Sequence, residues 1–169
     1  MSETEDNDSS SSANAIVSGS ATKGHLSSST DIDYYSFAAT AAGTVSINFD
    51  PTINSNNEYY TVSLMDGSGT VLASQDIGKD TDFSAGVTAA GTYYVAVDAY
   101  DSSWGTVYHD SGEYSLTTTM AVGSTSNIET EGNNSLAEAD AILSGSAIKG
   151  QLSSSTDIDY YSFAATAAG

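Results

Sequence analysis

The chain has 169 residues, no cysteine, and 22 acidic against 3 basic side chains, which gives a net charge of -19. This balance excludes a nucleic-acid-binding protein, because phosphate recognition requires clustered lysine and arginine, and it disfavours an anionic membrane surface for the same reason. No disulfide can form, and no apolar run approaches the roughly 20 residues of a membrane-spanning helix. The charge favours a protein suited to salty surroundings, a cation-binding protein, or both.

The first half of the chain predicts short strands with one apolar face. Two of them flank the turn "AAG": Tyr35 and Phe37 alternate with polar neighbours before it, and Val45, Ile47 and Phe49 alternate after it. Because alternate residues of a strand share a face, we expect these side chains to point into one core.

The same pattern continues towards residue 118. Val62 and Leu64 precede "DGSG", which is a strong hairpin-turn signal. Further alternating apolar residues follow: Tyr93, Val95, Val97, Tyr114 and Leu116. Short strands at this spacing, with almost no helical periodicity, predict an all-β protein built as an antiparallel sandwich.

The chain also repeats itself. Residues 27–43 and 153–169 are identical, and residues 17–43 and 143–169 agree at 24 of 27 positions. The repeat unit is about 126 residues long, and its first third recurs. We therefore expect a piece of a longer protein that contains tandem copies of one module.

This repetition predicts the domain organisation. We expect a complete sandwich over residues 1–118, a linker over residues 119–128, and the N-terminal part of a second, truncated repeat over residues 129–169. So short a second part cannot build its own core. It is either the edge of a tandem array or a strand donor that completes the sandwich of a neighbouring copy.

Oxygen-bearing side chains cluster in two segments of each copy, "ETEDND" or "ETEGNN" and then "DIDYYSF". Calcium takes six to eight oxygen ligands, commonly from carboxylates and amides. The candidate ligands of the first copy are Glu3, Glu5, Asn7, Asp8, Asp31 and Asp33. Their equivalents in the second copy are Glu129, Glu131, Asn133, Asn134, Asp157 and Asp159. The alternative is that these acidic residues only solvate a chain end.

These motifs, together with "AAGTV" and "AAGTYYVAV", resemble the bacterial pre-peptidase C-terminal domain family, which includes the collagen-binding domains of clostridial collagenases. The likeness covers residues 3–118 and the opening of a second domain at 129–169. It implies a secreted, non-catalytic, jelly-roll-like β-sandwich that binds calcium where its N-terminal segment meets the sheet. The ligands implied by motif position are Glu3, Glu5, Asn7 and Asp33, with Asp8 and Asp31 as additions.

The segment "DAYDSSWGTVYHDSGEY" contains the only tryptophan of the chain. Aromatic side chains on a loop of a rigid sandwich are a usual recognition device, so Tyr100, Trp104 and Tyr108 are candidate contacts for an extracellular protein or polysaccharide. Equally, Trp104 could tuck back to cap the core. A weaker candidate for a second calcium site comes from four acidic residues of this segment: Asp98, Asp101, Asp110 and Glu113.

Catalysis has little support in the sequence. The only histidines are His25 and His109, His25 is replaced by Gln151 in the second copy, and the consecutive "HDS" that begins at His109 cannot form a catalytic relay. We predict a non-catalytic, calcium-binding module of a secreted or surface-displayed repetitive protein, such as an adhesin, stalk or fibre, whose partners include neighbouring copies. The alternative is a collagen- or polysaccharide-targeting accessory domain of a secreted peptidase.

Overall fold

The computed structural model describes residues 1–123, 128–153 and 156–165, and these residues form strands and no helix. This part of the chain therefore has no helix long and apolar enough to cross a membrane. The strands are β1 (Asn14–Ala15), β2 (Thr22–Gly24), β3 (Ile32–Ala39), β4 (Gly43–Pro51), β5 (Tyr60–Met65), β6 (Val71–Ile77), β7 (Thr81–Val87), β8 (Gly91–Asp101), β9 (Val107–Tyr108), β10 (Tyr114–Val122), β11 (Asp140–Ala141) and β12 (Tyr161–Ser162).

Nine of these strands and the short β9 hairpin partner build two sheets that face each other. One sheet has the order β1-β3-β8-β5-β6, with β9 attached to β8, and the other has the order β2-β10-β4-β7. All neighbours are antiparallel except β1 and β3. In the first sheet Val95 lies opposite both Tyr35 and Leu64, and in the second Phe49 lies opposite Leu116.

The strand pairs are nested as in one long hairpin that has been rolled up. β2 pairs with β10, β3 with β8, β4 with β7, and β5 with β6. Two further pairings, β10 with β4 and β8 with β5, close this hairpin into two sheets. The eight strands of these four nested pairs, arranged in two sheets, form a jelly roll, which confirms the predicted fold class.

The core lies between the sheets, on the faces that alternation predicted. Phe49 packs against Tyr60 and Tyr114, with ring centroids 5.1 and 4.8 Å apart. Burial of each large apolar side chain contributes about 1.5–3 kcal/mol. The predicted core residues that are buried are Tyr35, Phe37, Val45, Ile47, Phe49, Val62, Leu64, Tyr93, Val95, Val97, Tyr114 and Leu116.

The predicted "DGSG" turn joins β5 to β6. Asp66 Oδ1 accepts hydrogen bonds from the backbone N–H groups of Ser68 at 2.8 Å and Thr70 at 2.9 Å. Gly69 adopts a φ of 89°, a conformation that glycine reaches without steric cost. The local sequence therefore determines this hairpin.

The predicted linker begins too early. Residues 119–122 continue β10, where Met120 lies opposite Val45 and packs against the core. The prediction was wrong here because the threonines that precede Met120 hide the alternation: Thr118 is buried although it is polar. Residues 124–127, which belong to the rest of the predicted linker, lie outside the described residues.

The second copy forms a small sheet of its own. β11 runs parallel to β12 with Asp140 opposite Tyr161, which reproduces the pairing of Asn14 with Tyr35 between β1 and β3. The side-chain amide of Gln151 donates a hydrogen bond to the carbonyl of Ser74 in β6. Five large apolar side chains in the described part of this copy are exposed: Leu136, Leu143, Leu152, Ile158 and Phe163. The division of the chain into a complete domain and a truncated second repeat remains a prediction.

Candidate metal centre and aromatic loop

The N-terminal segment crosses the edge of both sheets and is held there by its backbone. Glu3 N–H donates to the carbonyl of Lys23 in β2 at 2.9 Å, and Tyr34 N–H in β3 donates to the carbonyl of Asn7 at 2.9 Å. Residues 3–8 therefore lie beside the start of β3, as the two-segment pattern of the sequence predicted. This placement brings the carboxylates of one segment to those of the other.

Two overlapping groups of ligand atoms result. Glu5, Asp8 and Asp31 each place an oxygen within 4.8 Å of the others. Glu3, Glu5 and the His25 ring do the same. Burial, and then the charge of Asp31, raises the pKa of Glu5, while burial and a hydrogen bond with Asp31 raise that of Asp8. Burial is thus the first cause of both shifts, and the neighbouring carboxylates add to it.

A chain of hydrogen bonds connects Asp33 to Glu3. The Tyr114 hydroxyl lies 2.5 Å from Asp33 Oδ2 and 2.7 Å from the Tyr35 hydroxyl, which lies 2.5 Å from Glu3 Oε2. Burial is the main cause that raises the pKa of Asp33 to about 8. The hydrogen bond from Tyr114 lowers this pKa, whereas the charge of Glu3 raises it. Burial therefore favours the protonated form of Asp33 when no cation is bound.

The Asn7 side chain is fully buried among these acceptors. One of its amide atoms lies 3.0 Å from Glu5 Oε2 and 3.2 Å from Asp33 Oδ1. If nitrogen occupies that place, it donates two hydrogen bonds; if oxygen does, three acceptor oxygens converge. Convergence of that kind is favourable only around a cation, and calcium accepts carboxylate and amide oxygens together.

A glycine forms the floor of the centre. A Cβ atom on Gly24 would lie 2.3 Å from the Tyr35 hydroxyl, 2.4 Å from Glu3 Oε2 and 2.5 Å from the Tyr114 hydroxyl. These contacts are far shorter than any real carbon contact, so a side chain here would displace the tyrosines and Glu3. The close packing explains why β2 ends on glycine at this place.

The second copy builds the same arrangement. Glu129 Oε1 accepts from Gln151 N–H, as Glu3 Oε1 accepts from His25 N–H, and the Tyr161 hydroxyl donates to Glu129 Oε2 as Tyr35 does to Glu3. Asp157 Oδ2 accepts from Ser153 N–H at 2.6 Å, and Asp31 Oδ2 from Ser27 N–H at 2.5 Å. The same local sequence therefore gives the same hydrogen bonds around the acidic residues in both copies.

Buried atoms without partners distinguish the second centre. Asn133 is 1% exposed, and neither atom of its side-chain amide has a hydrogen-bond partner among the described residues. The same holds for Glu131 Oε1, Asp157 Oδ1 and Asp159 Oδ1. Each such group costs about 1–3 kcal/mol when it is left unsatisfied. These atoms suit a bound cation, which would satisfy the oxygens together.

The second centre also holds several carboxylates close together. Glu129, Glu131 and Asp159 each place an oxygen within 4.8 Å of the others. Burial, followed by the charges of neighbouring carboxylates, raises the pKa of Glu131 to about 7 and that of Asp159 to about 6. Asn134, the equivalent of Asp8, accepts a hydrogen bond from Ile158 N–H at 3.1 Å through its side-chain oxygen.

The structure thus gathers the predicted ligands of each copy at one place. Sequence reasoning missed His25, whose Nδ1 lies 3.0 Å from Glu3 Oε1, because glutamine replaces it in the second copy. The weaker candidate built on Asp98 does not form: its four acidic residues do not gather into a group, and Asp98 accepts from the N–H of Ala99.

The aromatic segment projects from the far end of β8. Trp104 is 92% exposed at the tip of the turn that links β8 to β9, so it does not cap the core. The ring centroids of Tyr100 and Tyr108 lie 6.4 Å apart in a stacked arrangement, and Tyr59 meets Tyr108 edge-on at 6.5 Å. The predicted ligand residues are therefore available at the surface, and Tyr59 joins two of them.

Comparison with known proteins supports the fold. No family model and no curated protein matches the chain. The pre-peptidase C-terminal domain of collagenase from Bacillus anthracis is similar in structure, with a TM-score of 0.50 and 24% identity over 63% of this chain and 94% of that one. A CBM36 carbohydrate-binding module in complex with calcium and xylotriose is more distant, with a TM-score of 0.30 and 16% identity over 56% of this chain and 77% of that one. The first likeness confirms the predicted resemblance at the level of the fold.

Proposed function

We propose that this chain is a non-catalytic, calcium-binding β-sandwich module of a secreted or surface-displayed repetitive protein. The observation that carries the proposal is the second centre, where buried oxygens of Glu131, Asp157 and Asp159 and the Asn133 amide lie together without partners. The proposed ligands come from one set of positions in both copies: Glu3, Glu5, Asn7, Asp8, Asp31 and Asp33, and Glu129, Glu131, Asn133, Asn134, Asp157 and Asp159.

Calcium fits these donors better than a softer metal. The sets consist of carboxylate and amide oxygens, and the chain has no cysteine for a zinc or iron–sulfur site. A bound ion would replace the proton on Asp33 and offset the repulsion between the carboxylates. Because its ligands lie on both the N-terminal segment and the start of β3, the ion would tie that segment to the sandwich.

Thermal unfolding tests this proposal. An ion that binds only the folded state adds about 2.7 kcal/mol when its free concentration is 100 times the dissociation constant. We expect calcium to raise the Tm of the chain relative to excess chelator. The double variant Asp33→Ala/Asp159→Ala should lose this response, and Asp50→Ala, which removes an exposed carboxylate of β4, should keep it. A Tm that is indifferent to chelator contradicts the proposal.

A substrate-targeting role in a secreted peptidase is the second candidate function. Its support is the exposed aromatic segment, together with the likeness in fold to a domain of a collagenase. A targeting domain binds its polymer as a single module, whereas a stalk module has no such need. Retention on immobilised collagen or polysaccharide, abolished by Tyr108→Ala or Trp104→Ala, favours the targeting role.

For the second copy we propose strand donation between molecules. Leu152 and Phe163 are exposed here, while their equivalents Leu26 and Phe37 are buried in the first sandwich. We expect this surface to take the place of residues 3–43 on the body of a neighbouring copy, where β3 pairs with β8 in this structure, and to displace them. Such a contact is heterologous and forms a ring or a fibre.

Light scattering measures this assembly. Phe163→Ser should reduce the scattering particle size in calcium. Leu143→Ser is the matched control, because Leu143 and its equivalent Val17 are both exposed and neither belongs to the core face. Assembly that responds equally to both substitutions, or a chain that stays monomeric at every calcium level, contradicts strand donation.

A further inference from the structure

A shallow groove of about 300 Å³ lies beside the aromatic segment, on the opposite face of β8 from the core. It is lined by Asn57, Glu58, Tyr59, Tyr100, Ser102 and Tyr108. The core does not need these rings: Tyr108 is 46% exposed, and Tyr59 only packs against the edge of the core. The groove is therefore a surface feature of the complete first sandwich.

Backbone pairing holds the three rings in place. Tyr100 lies opposite Tyr108 in the short β8–β9 ladder, and Tyr100 N–H donates to the carbonyl of Tyr59 at 3.2 Å. Ser102 N–H donates to the carbonyl of Thr106 at 3.0 Å and closes the turn that carries Trp104. A platform fixed in this way loses little side-chain entropy on binding.

Negative charge surrounds the rings. Burial, and then the charges of Asp76 and Glu58, raises the pKa of the Tyr100 hydroxyl, with a smaller contribution from Asp101. The whole sequence has three lysines and no arginine to offset these carboxylates. Lys23 pairs with Glu113, and Lys79, the lysine next to this region, donates to Asn56 Oδ1 at 3.2 Å.

We infer that this groove binds an arginine side chain of an extended polypeptide partner. A guanidinium group is flat, stacks on tyrosine faces and donates hydrogen bonds to carboxylates, so it matches both the rings and the Glu58 side chain. A neutral sugar can stack on the rings but leaves the negative charge without a counterpart. Trp104, at the adjacent tip, is placed to contact residues that flank the arginine.

This inference names the partner of the second candidate function, the substrate-targeting role, and rests on that function. The probe is a fluorescent octapeptide, Gly-Ser-Arg-Gly-Ser-Arg-Gly-Ser, and its twin in which citrulline replaces both arginines. Citrulline keeps the shape of arginine and lacks its charge. Fluorescence polarisation with the calcium-saturated chain should show saturable binding of the arginine peptide, weakened by added salt, and no binding of the citrulline peptide.

Variants locate the binding to the groove. Tyr108→Ala and Glu58→Gln should each weaken binding about two- to five-fold, which is the size of an exposed cation–π contact for the first and of an exposed ion pair for the second. Tyr108→Phe keeps the ring and should retain binding. Tyr94→Ala is the control, because Tyr94 is a partly exposed tyrosine of the same strand outside the groove. Unchanged melting temperatures confirm that the variants are folded.

Equal binding of the citrulline peptide, or binding that Tyr108→Ala leaves intact, overturns the inference. So does the absence of peptide binding alongside binding of a neutral oligosaccharide such as xylohexaose. The calcium proposal can fail independently of this inference. If calcium produces no shift in Tm but the peptide still binds, the calcium proposal is wrong and the inference about the groove stands.

Discussion

The same sequence lies in two environments in this chain. In the first copy Leu26 is 0% and Phe37 is 5% exposed, whereas the equivalent Leu152 and Phe163 are 60% and 72% exposed. Two hydrogen bonds to Glu3, from the His25 N–H and the Tyr35 hydroxyl, nevertheless recur at Glu129. The comparison teaches that the hydrogen bonds of the polar centre form without the second half of a sandwich, while burial of the apolar face depends on the strands from β4 to β10.

A core substitution should produce the largest difference in stability between the two copies. Phe37→Ala removes a side chain buried between the sheets and should lower the free energy of unfolding by about 3–5 kcal/mol. The same change at Phe163 removes an exposed ring and should alter it by about 0.5 kcal/mol or less. Urea unfolding followed by circular dichroism measures both. Similar losses at the two positions would mean that the second copy is buried in a core in solution.

The glycine floor gives the next largest effect. Gly24→Ala should destabilise the first copy by about 1–3 kcal/mol, because the new methyl group overlaps Glu3 and the two tyrosine hydroxyls. Gly91→Ala is the control, since its nearest contact would be an ordinary 3.9 Å. The equivalent Gly150→Ala should disturb the second centre and leave the stability of the sandwich unchanged. Denaturant midpoints separate these three results.

Removal of one hydroxyl should make the first centre resemble the second. Tyr114→Phe deletes the donor to Asp33, a group that the described part of the second copy does not contain. A hydrogen bond to a charged group is worth about 1.5–3 kcal/mol, so calcium affinity at the first centre should fall about tenfold or more. Calorimetric titration of this variant tests the effect, and an unchanged affinity would exclude Tyr114 from the centre.

The pH dependence should differ with and without calcium. The pKa of Asp33 is raised to about 8, so the folded chain holds a proton that the unfolded chain releases near pH 4. In chelator this contribution to stability is fully present below about pH 4 and is lost as pH rises through about 8. Bound calcium replaces the proton, so the loss of stability with rising pH should disappear. Melting curves from pH 5 to 8 show the difference, and parallel curves contradict the exchange.

Much of the fold followed from alternation, and the exceptions have physical causes. The faces of β3, β4 and β8 were predictable because large apolar residues alternate with polar ones. β7 was not recognised, since Phe83 is its only large ring and the serine, alanine and glycine around it give no alternating pattern. The end of β10 was missed for the same reason.

The candidate site was predictable in composition but not in detail. The recurrence of the acidic positions indicated which residues would gather, because an internal repeat needs no outside comparison. The tyrosine contacts to Glu3 and Asp33 were not predictable, since Tyr114 is 81 residues away from Asp33 in the chain. The exposure of Trp104 was equally open, because the direction of a loop side chain leaves no periodic signal.

Calcium stoichiometry tests the central claim most directly. Isothermal titration of the full chain should give two ions per molecule, and Asp33→Ala or Asp159→Ala should each reduce this number to one. The double variant should bind none. Absence of binding by the full chain, or a stoichiometry that neither substitution changes, would contradict the account that each copy builds its own centre.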